Sequence, residues 1–181
     1  MALLVLGVLL WAFVHLFKRL APARRAAMGD KAKGAVALGV LVSIVLMVIG
    51  YRMAGGAVFW GRHPATVELN NLLNLLAVYL FAASGMKTWI TSKIRHPQLT
   101  AVKAWALAHL LVNGDVPSFV LFGGLLAWAV VEVILINRQT DDKRPVGPFD
   151  ARKELIAAVA ALVVFGAIAG MHYLLGYAAF A

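Results

Sequence analysis

The stretch with the most chemistry in this sequence runs from Arg95 to Asp115. It places two histidines, a lysine and an Asn-Gly-Asp turn in and beside an apolar helix. Ionisable side chains are costly inside a bilayer, so a membrane segment that carries them is where function is expected. An imidazole nitrogen can ligate a metal, and small neighbouring residues leave room for a flat, apolar cofactor.

Helical spacing groups the side chains of this stretch. Trp105, His109 and Asn113 follow at intervals of four residues, so they share one face of the helix. His96 directly precedes Pro97, and proline is favoured at the first position of a helix. The sequence therefore predicts a helix that begins at Pro97 and carries a polar and aromatic face around His109.

A second histidine with an aromatic neighbour lies near the start of the chain. Trp11 and His15 are one helical turn apart in an apolar segment. From spacing alone, His15 is equally well an interfacial histidine at a helix end. His63 is expected to be solvated in a loop, and His172 to be a hydrogen-bonded histidine of the helix core.

Three segments of the chain, Arg95–Pro97, Lys103–Leu111 and Asn113–Asp115, resemble the signature of the NnrU family. The likeness begins at Val14-His15-Leu16-Phe17 and continues to about Arg138. NnrU proteins are bacterial membrane proteins named from nitric-oxide reduction gene sets. They are similar to the plant cis-zeta-carotene isomerase, which carries a b-type haem.

This resemblance implies haem b as the cofactor, with His15 and His109 as its axial ligands. Helical spacing adds Trp11 and Trp105 as neighbours of these two histidines. The resemblance also implies a haem-dependent isomerase or a redox protein. The relatives place a cysteine at the position of Ala106 and this is proposed as an alternative ligand. Alanine cannot coordinate a metal, so ligand exchange of that kind is not expected here.

Depth in the membrane leaves a second pairing open. At about 1.5 Å per residue, His15 lies roughly 4.5 Å inward of Lys18, and His109 lies roughly 9 Å inward of Lys103. If the membrane boundary is nearer Pro97, His109 is roughly 18 Å deep, and His96 becomes the better match in depth for His15. His96 is therefore a further candidate ligand.

Composition limits the class of protein. The chain has 181 residues, of which 62% are hydrophobic, which is more apolar surface than one soluble core can bury. The absence of cysteine excludes disulfides, thiolate catalysis, covalently attached c-type haem and cysteine-ligated iron-sulfur clusters. The net charge is +9, but the Lys and Arg residues cluster between apolar runs and lack the interleaved aromatic surface that a nucleic-acid-binding protein would have. Nucleic acid is therefore not an expected partner.

The apolar runs predict an all-α polytopic membrane helical bundle with about six transmembrane helices, in one domain over residues 1–181. The predicted spans are Ala2–Phe17, Ala35–Met53, Thr66–Trp89, Pro97–Val112, Val116–Asn137 and Arg152–Tyr177. Most basic residues fall in alternate connections, at 18–33, 87–95 and 138–153. By the positive-inside rule these connections are cytoplasmic, and both termini are periplasmic in the bacterial inner membrane.

The sequence also predicts specific contacts for several polar and small residues inside the spans. Asn70 and Asn74 are expected either to bond to neighbouring helices or to line a water-filled vestibule, and Glu132 needs a partner or a proton. Asp115 is expected to cap the fifth span. The Gly166 and Gly170 pair is expected to face another helix or a bound ligand, because small residues permit close packing.

Two functions from different classes follow. The first is an integral membrane haem-binding protein associated with denitrification, nitric-oxide metabolism or redox chemistry in the bilayer. The alternative is a haem-free structural or assembly subunit of a membrane respiratory complex. The expected partners are the lipid bilayer and either a larger membrane protein complex or a second copy of the chain.

Overall fold

The computed structural model describes residues 1–177 and 179, and these are mostly helical. The helices are α1 (Ala2–Leu20), α2 (Pro22–Ala27), α3 (Lys31–Met53), α4 (Pro64–Met86), α5 (Ile90–Lys93), α6 (Pro97–Val112), α7 (Val116–Ser118), a π-helix (Phe119–Gly123), α8 (Gly124–Gln139) and α9 (Ala151–Leu174). Two short strands, β1 (Val58–Trp60) and β2 (Gly114–Asp115), pair with each other.

Five helical segments of the described chain are long and apolar enough to cross a bilayer: α1, α3, α4, Val116–Gln139 and α9. The all-α polytopic membrane fold is therefore confirmed. Helix α6 has 16 residues, or about 24 Å, against about 30 Å for a hydrocarbon core. The expected bounds of α6 agree with the structure, and its crossing of the membrane stays a prediction, as does the periplasmic position of both termini.

Contacts within the chain divide it into two compact units. The first contains Met1–Phe59 and Gly114–Gln139, and the second contains Trp60–Asn113 and Thr140–Ala181. The single domain expected over residues 1–181 thus holds two units. His15 belongs to the first unit, and His96 and His109 belong to the second.

In the first unit, α1 packs against α3 and α8. The approach to α3 is closest at Gly7, where an added Cβ would lie 2.8 Å from the backbone nitrogen of Met47 and 3.0 Å from the carbonyl oxygen of Ser43. The two backbones are therefore in contact. Van der Waals packing of this kind holds membrane helices together, because lipid supplies no hydrophobic drive for their association.

In the second unit, α4 packs against α6 and α9. The α4–α6 interface is built from small and medium side chains, with Ala77 and Leu80 facing Ala101 and Ala104. Glu154 near the start of α9 accepts a hydrogen bond from the Tyr79 hydroxyl at 2.8 Å. The same carboxylate accepts from the backbone N–H of Trp89.

The structure contradicts one expectation about the spans and leaves a second one open. The Asn74 amide donates to Asn70 at 2.9 Å and the Asn70 amide to Asn71 at 3.1 Å, so these bonds run along α4 itself rather than to a neighbouring helix. A Cβ added at Gly166 or Gly170 would meet nothing within 4 Å in the described chain. The two glycines therefore do not pack against another helix of the described chain, and their contact with a second chain or a ligand stays a prediction.

The turn before the fifth span forms as expected. Asp115 accepts a hydrogen bond from the Ser118 N–H at 2.8 Å and another from the Ser118 hydroxyl at 3.0 Å. Pro117 lies in the first turn of α7. The carboxylate thus satisfies one of the N–H groups that a helix start leaves without a partner.

Candidate functional site

His15 is held by its own helix. Its Nδ1 lies 2.8 Å from the carbonyl oxygen of Trp11, one turn earlier in α1. A carbonyl oxygen only accepts hydrogen bonds, so Nδ1 carries the proton and Nε2 carries the lone pair. No described residue forms a hydrogen bond with that Nε2. The helix therefore presents His15 as the tautomer that can ligate a metal through Nε2.

Two indole rings enclose the His15 imidazole. The Trp11 ring lies 4.2 Å from it, centroid to centroid, and the Trp128 ring of α8 lies 4.8 Å from it at an interplanar angle of 60°. The two indoles meet edge to face at 5.5 Å. Aromatic packing on two sides fixes the orientation of His15, and this orientation is needed for a metal ligand.

The same cluster contains most of the buried polar atoms that lack a partner in the described part of the chain. These atoms are Trp11 Nε1, Trp128 Nε1 and Glu132 Oε2, and the fourth such atom is Thr88 Oγ1 in the other unit. Buried polar groups are almost always paired, so a concentration of unpaired ones indicates a place for a bound group or an ordered water. The two indole N–H groups require an acceptor, such as a carboxylate or carbonyl oxygen.

Glu132 has its ionic partner on α1. Its Oε1 lies 3.5 Å from the Nε of Arg19, and the side chains are 11% and 21% exposed. The expectation that Glu132 needs a partner is therefore met by Arg19. Because Arg19 is one turn after His15 and Glu132 one turn after Trp128, the five residues form a single patch, the His15 cluster: Trp11, His15, Arg19, Trp128 and Glu132.

His109 has a similar local arrangement in the second unit. Its Nδ1 lies 2.9 Å from the Trp105 carbonyl oxygen, and the two rings are 5.0 Å apart. The Asn113 amide donates to the His109 carbonyl oxygen at 2.9 Å. The shared face expected for these three residues is therefore confirmed. As in His15, the proton lies on Nδ1 and the lone pair on Nε2.

The other histidines have different surroundings. His172 makes the same kind of bond, from Nδ1 to the Ile168 carbonyl oxygen at 2.8 Å, but on an exposed part of α9. His63 is exposed and its Nδ1 accepts from the Ala65 N–H at 3.3 Å, so it caps the start of α4. His96 directly precedes α6 and lies at its N-cap position, without a capping hydrogen bond from its side chain.

The second unit also contains an apolar groove of about 620 Å³. Its lining includes Trp60 and His63 together with leucines from α4 and α6. The Trp60 indole donates to the Leu110 carbonyl oxygen at 3.0 Å and closes one side. Neither His96 nor His109 lines this groove, so it is separate from the predicted metal ligands.

Trp128, Arg19 and Glu132 were not among the predicted site residues. The signal for them is present in the sequence, because α1 carries His15 and Arg19 four residues apart and α8 carries Trp128 and Glu132 at the same spacing. Two residue pairs with the same helical spacing can face each other across a helix–helix interface. Only the packing of α1 on α8 shows that they do.

These features define a polytopic helical membrane protein in which His15 and His109 are each hydrogen-bonded through Nδ1 to their own helices. A family model described as NnrU protein matches residues 3–179, nearly the whole chain. The chain therefore belongs to the NnrU family. No curated protein and no solved structure matches it significantly.

Proposed function

We propose that this protein is a b-type haem-binding protein of the bacterial inner membrane, and that His15 and His109 would ligate the haem iron. The observation that carries the proposal is the state of the His15 imidazole. Its Nδ1–H is bonded to a backbone carbonyl, which leaves Nε2 as a ligand nitrogen inside an apolar span.

The surroundings of His15 fit such a group. Trp11 and Trp128 hold the imidazole between aromatic rings, and their buried indole N–H groups have no acceptor in the described chain. A haem brings carboxylate oxygens, which accept hydrogen bonds from N–H groups of this kind. With no cysteine in the chain, attachment would be non-covalent, through the axial nitrogens and packing.

His109 supports the proposal from the second unit. It has the same tautomer as His15 and packs beside Trp105. Ala106, where the isomerase relatives place a cysteine, is fully buried and offers no ligand atom. The relatives offer a histidine and a cysteine as ligands in this segment, and this chain has only the histidine there.

When bound, haem would supply one-electron chemistry at its iron. The residues of this chain would fix the imidazole tautomers, orient both rings and exclude water from the iron. The family likeness associates that chemistry with nitric-oxide metabolism and denitrification, or with an isomerase reaction. We propose the redox role, because no pair of carboxylates or other acid–base group accompanies His15 apart from the ion-paired Glu132 within the described chain.

The test is an absorption spectrum of protein purified from cells with a full haem supply, followed by histidine variants. We expect a Soret band in proportion to protein and a six-coordinate low-spin spectrum. His109→Ala and His15→Ala should each abolish stoichiometric haem or shift that spectrum, because neither Ala106 nor any cysteine can replace the lost nitrogen.

The matched control is His172→Ala, since His172 makes the same bond to its own helix but lies on an exposed part of α9. This variant and His63→Ala should keep the wild-type spectrum. His96→Ala should weaken the start of α6 without removing the iron bond. If His109→Ala keeps its low-spin spectrum and His96→Ala loses it, the ligand pair is His15 with His96 instead.

A haem-free structural or assembly subunit is the second candidate function. The open face of α9 at Gly166 and Gly170 favours it, because small residues exposed to lipid permit close approach of a helix from another chain. A colourless preparation from haem-replete cells would support this function and contradict the haem proposal.

A further inference from the structure

A buried ion pair lies beside the predicted ligand His15. Arg19 and Glu132 join α1 to α8, with 3.5 Å between Nε and Oε1, and both side chains are mostly buried. The same end of the two helices is also joined by a hydrogen bond from the Gln139 amide to the Arg19 carbonyl oxygen at 2.9 Å. The pair therefore lies in a packed interface rather than on a mobile surface.

The carboxylate of Glu132 is incompletely neutralised. Its Oε2 is buried and has no hydrogen-bond partner in the described chain, and the contact of Oε1 with Arg19 is longer than a good charge-assisted hydrogen bond. Charges with little access to solvent are weakly screened. The field of this pair therefore extends to its neighbours.

The electric field of the Arg19–Glu132 pair acts on His15. Arg19 follows His15 by one turn of α1, and neighbours at this spacing have Cβ atoms about 6 Å apart. Glu132 follows Trp128 by one turn of α8, and the Trp128 ring is 4.8 Å from the His15 ring. Each charged residue thus lies one helical turn from a residue whose ring belongs to the His15 cluster.

We propose that the Arg19–Glu132 pair sets the reduction potential of an iron group bound at Nε2 of His15. The negative charge of Glu132 favours the oxidised, more positive iron, and the positive charge of Arg19 offsets it. This inference rests on the proposed haem-binding function, and it assigns to two further residues the control of the electron equilibrium at that site.

The charge of Glu132 can be removed almost without change of shape. Glu132→Gln leaves Arg19 uncompensated, and Arg19 stays charged because a guanidinium is not deprotonated in proteins. A unit charge at about 10 Å and an effective dielectric constant of about 20 changes an equilibrium about tenfold. For one electron this corresponds to about 59 mV, in the direction that favours the reduced iron.

The experiment is a spectroelectrochemical titration of the purified haem-loaded protein, in which an electrode supplies the electron and the Soret and α bands report the ferrous fraction. Glu132→Gln should raise the midpoint potential by about 59 mV without a change in haem content. The double variant Arg19→Gln with Glu132→Gln removes both charges and should return the potential close to that of the wild type. Arg19→Lys keeps the charge and should also stay close to it.

The double variant separates electrostatics from structural damage. Removing both charges restores the net charge beside the iron group, so an electrostatic shift should disappear in the double variant, whereas a shift caused by the lost contact between α1 and α8 should remain. Glu68→Gln, an exposed carboxyl of the other unit, is the matched control and should leave the potential unchanged.

The outcomes distinguish the two proposals. Wild-type protein without haem contradicts the proposed function itself. Haem-loaded protein in which Glu132→Gln leaves the midpoint potential unchanged, or in which the double variant moves further than Glu132→Gln, retains the haem function and overturns the role of the ion pair.

Discussion

Gly7 packs tightly against a neighbouring helix and Gly166 does not, so substitution by alanine should affect stability differently at these two positions. At Gly7 in α1, an added Cβ would lie 2.8 Å from the Met47 backbone nitrogen, whereas at Gly166 in α9 it would meet nothing within 4 Å. A backbone atom cannot rotate away as a side chain can. Gly7→Ala therefore requires α1 and α3 to separate, and Gly166→Ala requires no movement within the chain.

The magnitudes follow from these contacts. Forcing an extra carbon into a packed interface costs about 1–3 kcal/mol. Alanine is about 1 kcal/mol more favourable than glycine inside a helix, and this gain applies at both positions. We expect Gly166→Ala to be neutral or stabilising, and Gly7→Ala to be about 1–3 kcal/mol less stable than Gly166→Ala.

The assay is unfolding in mixed micelles by increasing fractions of a denaturing detergent, followed by tryptophan fluorescence. Because Trp11 lies one turn after Gly7 on α1 and packs against Trp128, part of the total emission reports the opening of the first unit. Equal stability of the two variants would refute the packing derived for α1 and α3. A large loss in Gly166→Ala alone would mean that the face of α9 is occupied by a second chain.

Two further predictions concern the turn before the fifth span and the topology. Asp115→Ala should lower the free energy of unfolding by about 1 kcal/mol through loss of the bonds to Ser118, while Asp115→Asn, which keeps an acceptor oxygen, should lose less in the same assay. Reporter fusions in the 18–33 and 138–153 connections should read as cytoplasmic and a fusion after Ala181 as periplasmic. A cytoplasmic signal after Ala181 would mean that the short helix α6 does not cross the membrane.

Local features of the candidate site were predictable because they depend on neighbours in sequence. The start of α6 at Pro97, the N-cap at Asp115 and the shared face of Trp105, His109 and Asn113 all follow from helical spacing and proline geometry. The expected partners of Asn70 and Asn74 were wrong for a related reason. Amide side chains four residues apart can satisfy each other, and spacing alone does not exclude this.

The sequence by itself determined the membrane class and the positions of the helices, since apolar runs and capping residues act within one segment. Only the tertiary structure decided that Trp128 packs on His15 and that Arg19, rather than the nearby Arg138, pairs with Glu132. It also decided that Gly7 is in close contact and Gly166 is open. The physical reason is that contacts between helices depend on which faces meet and how closely, and residues far apart in the chain set these together.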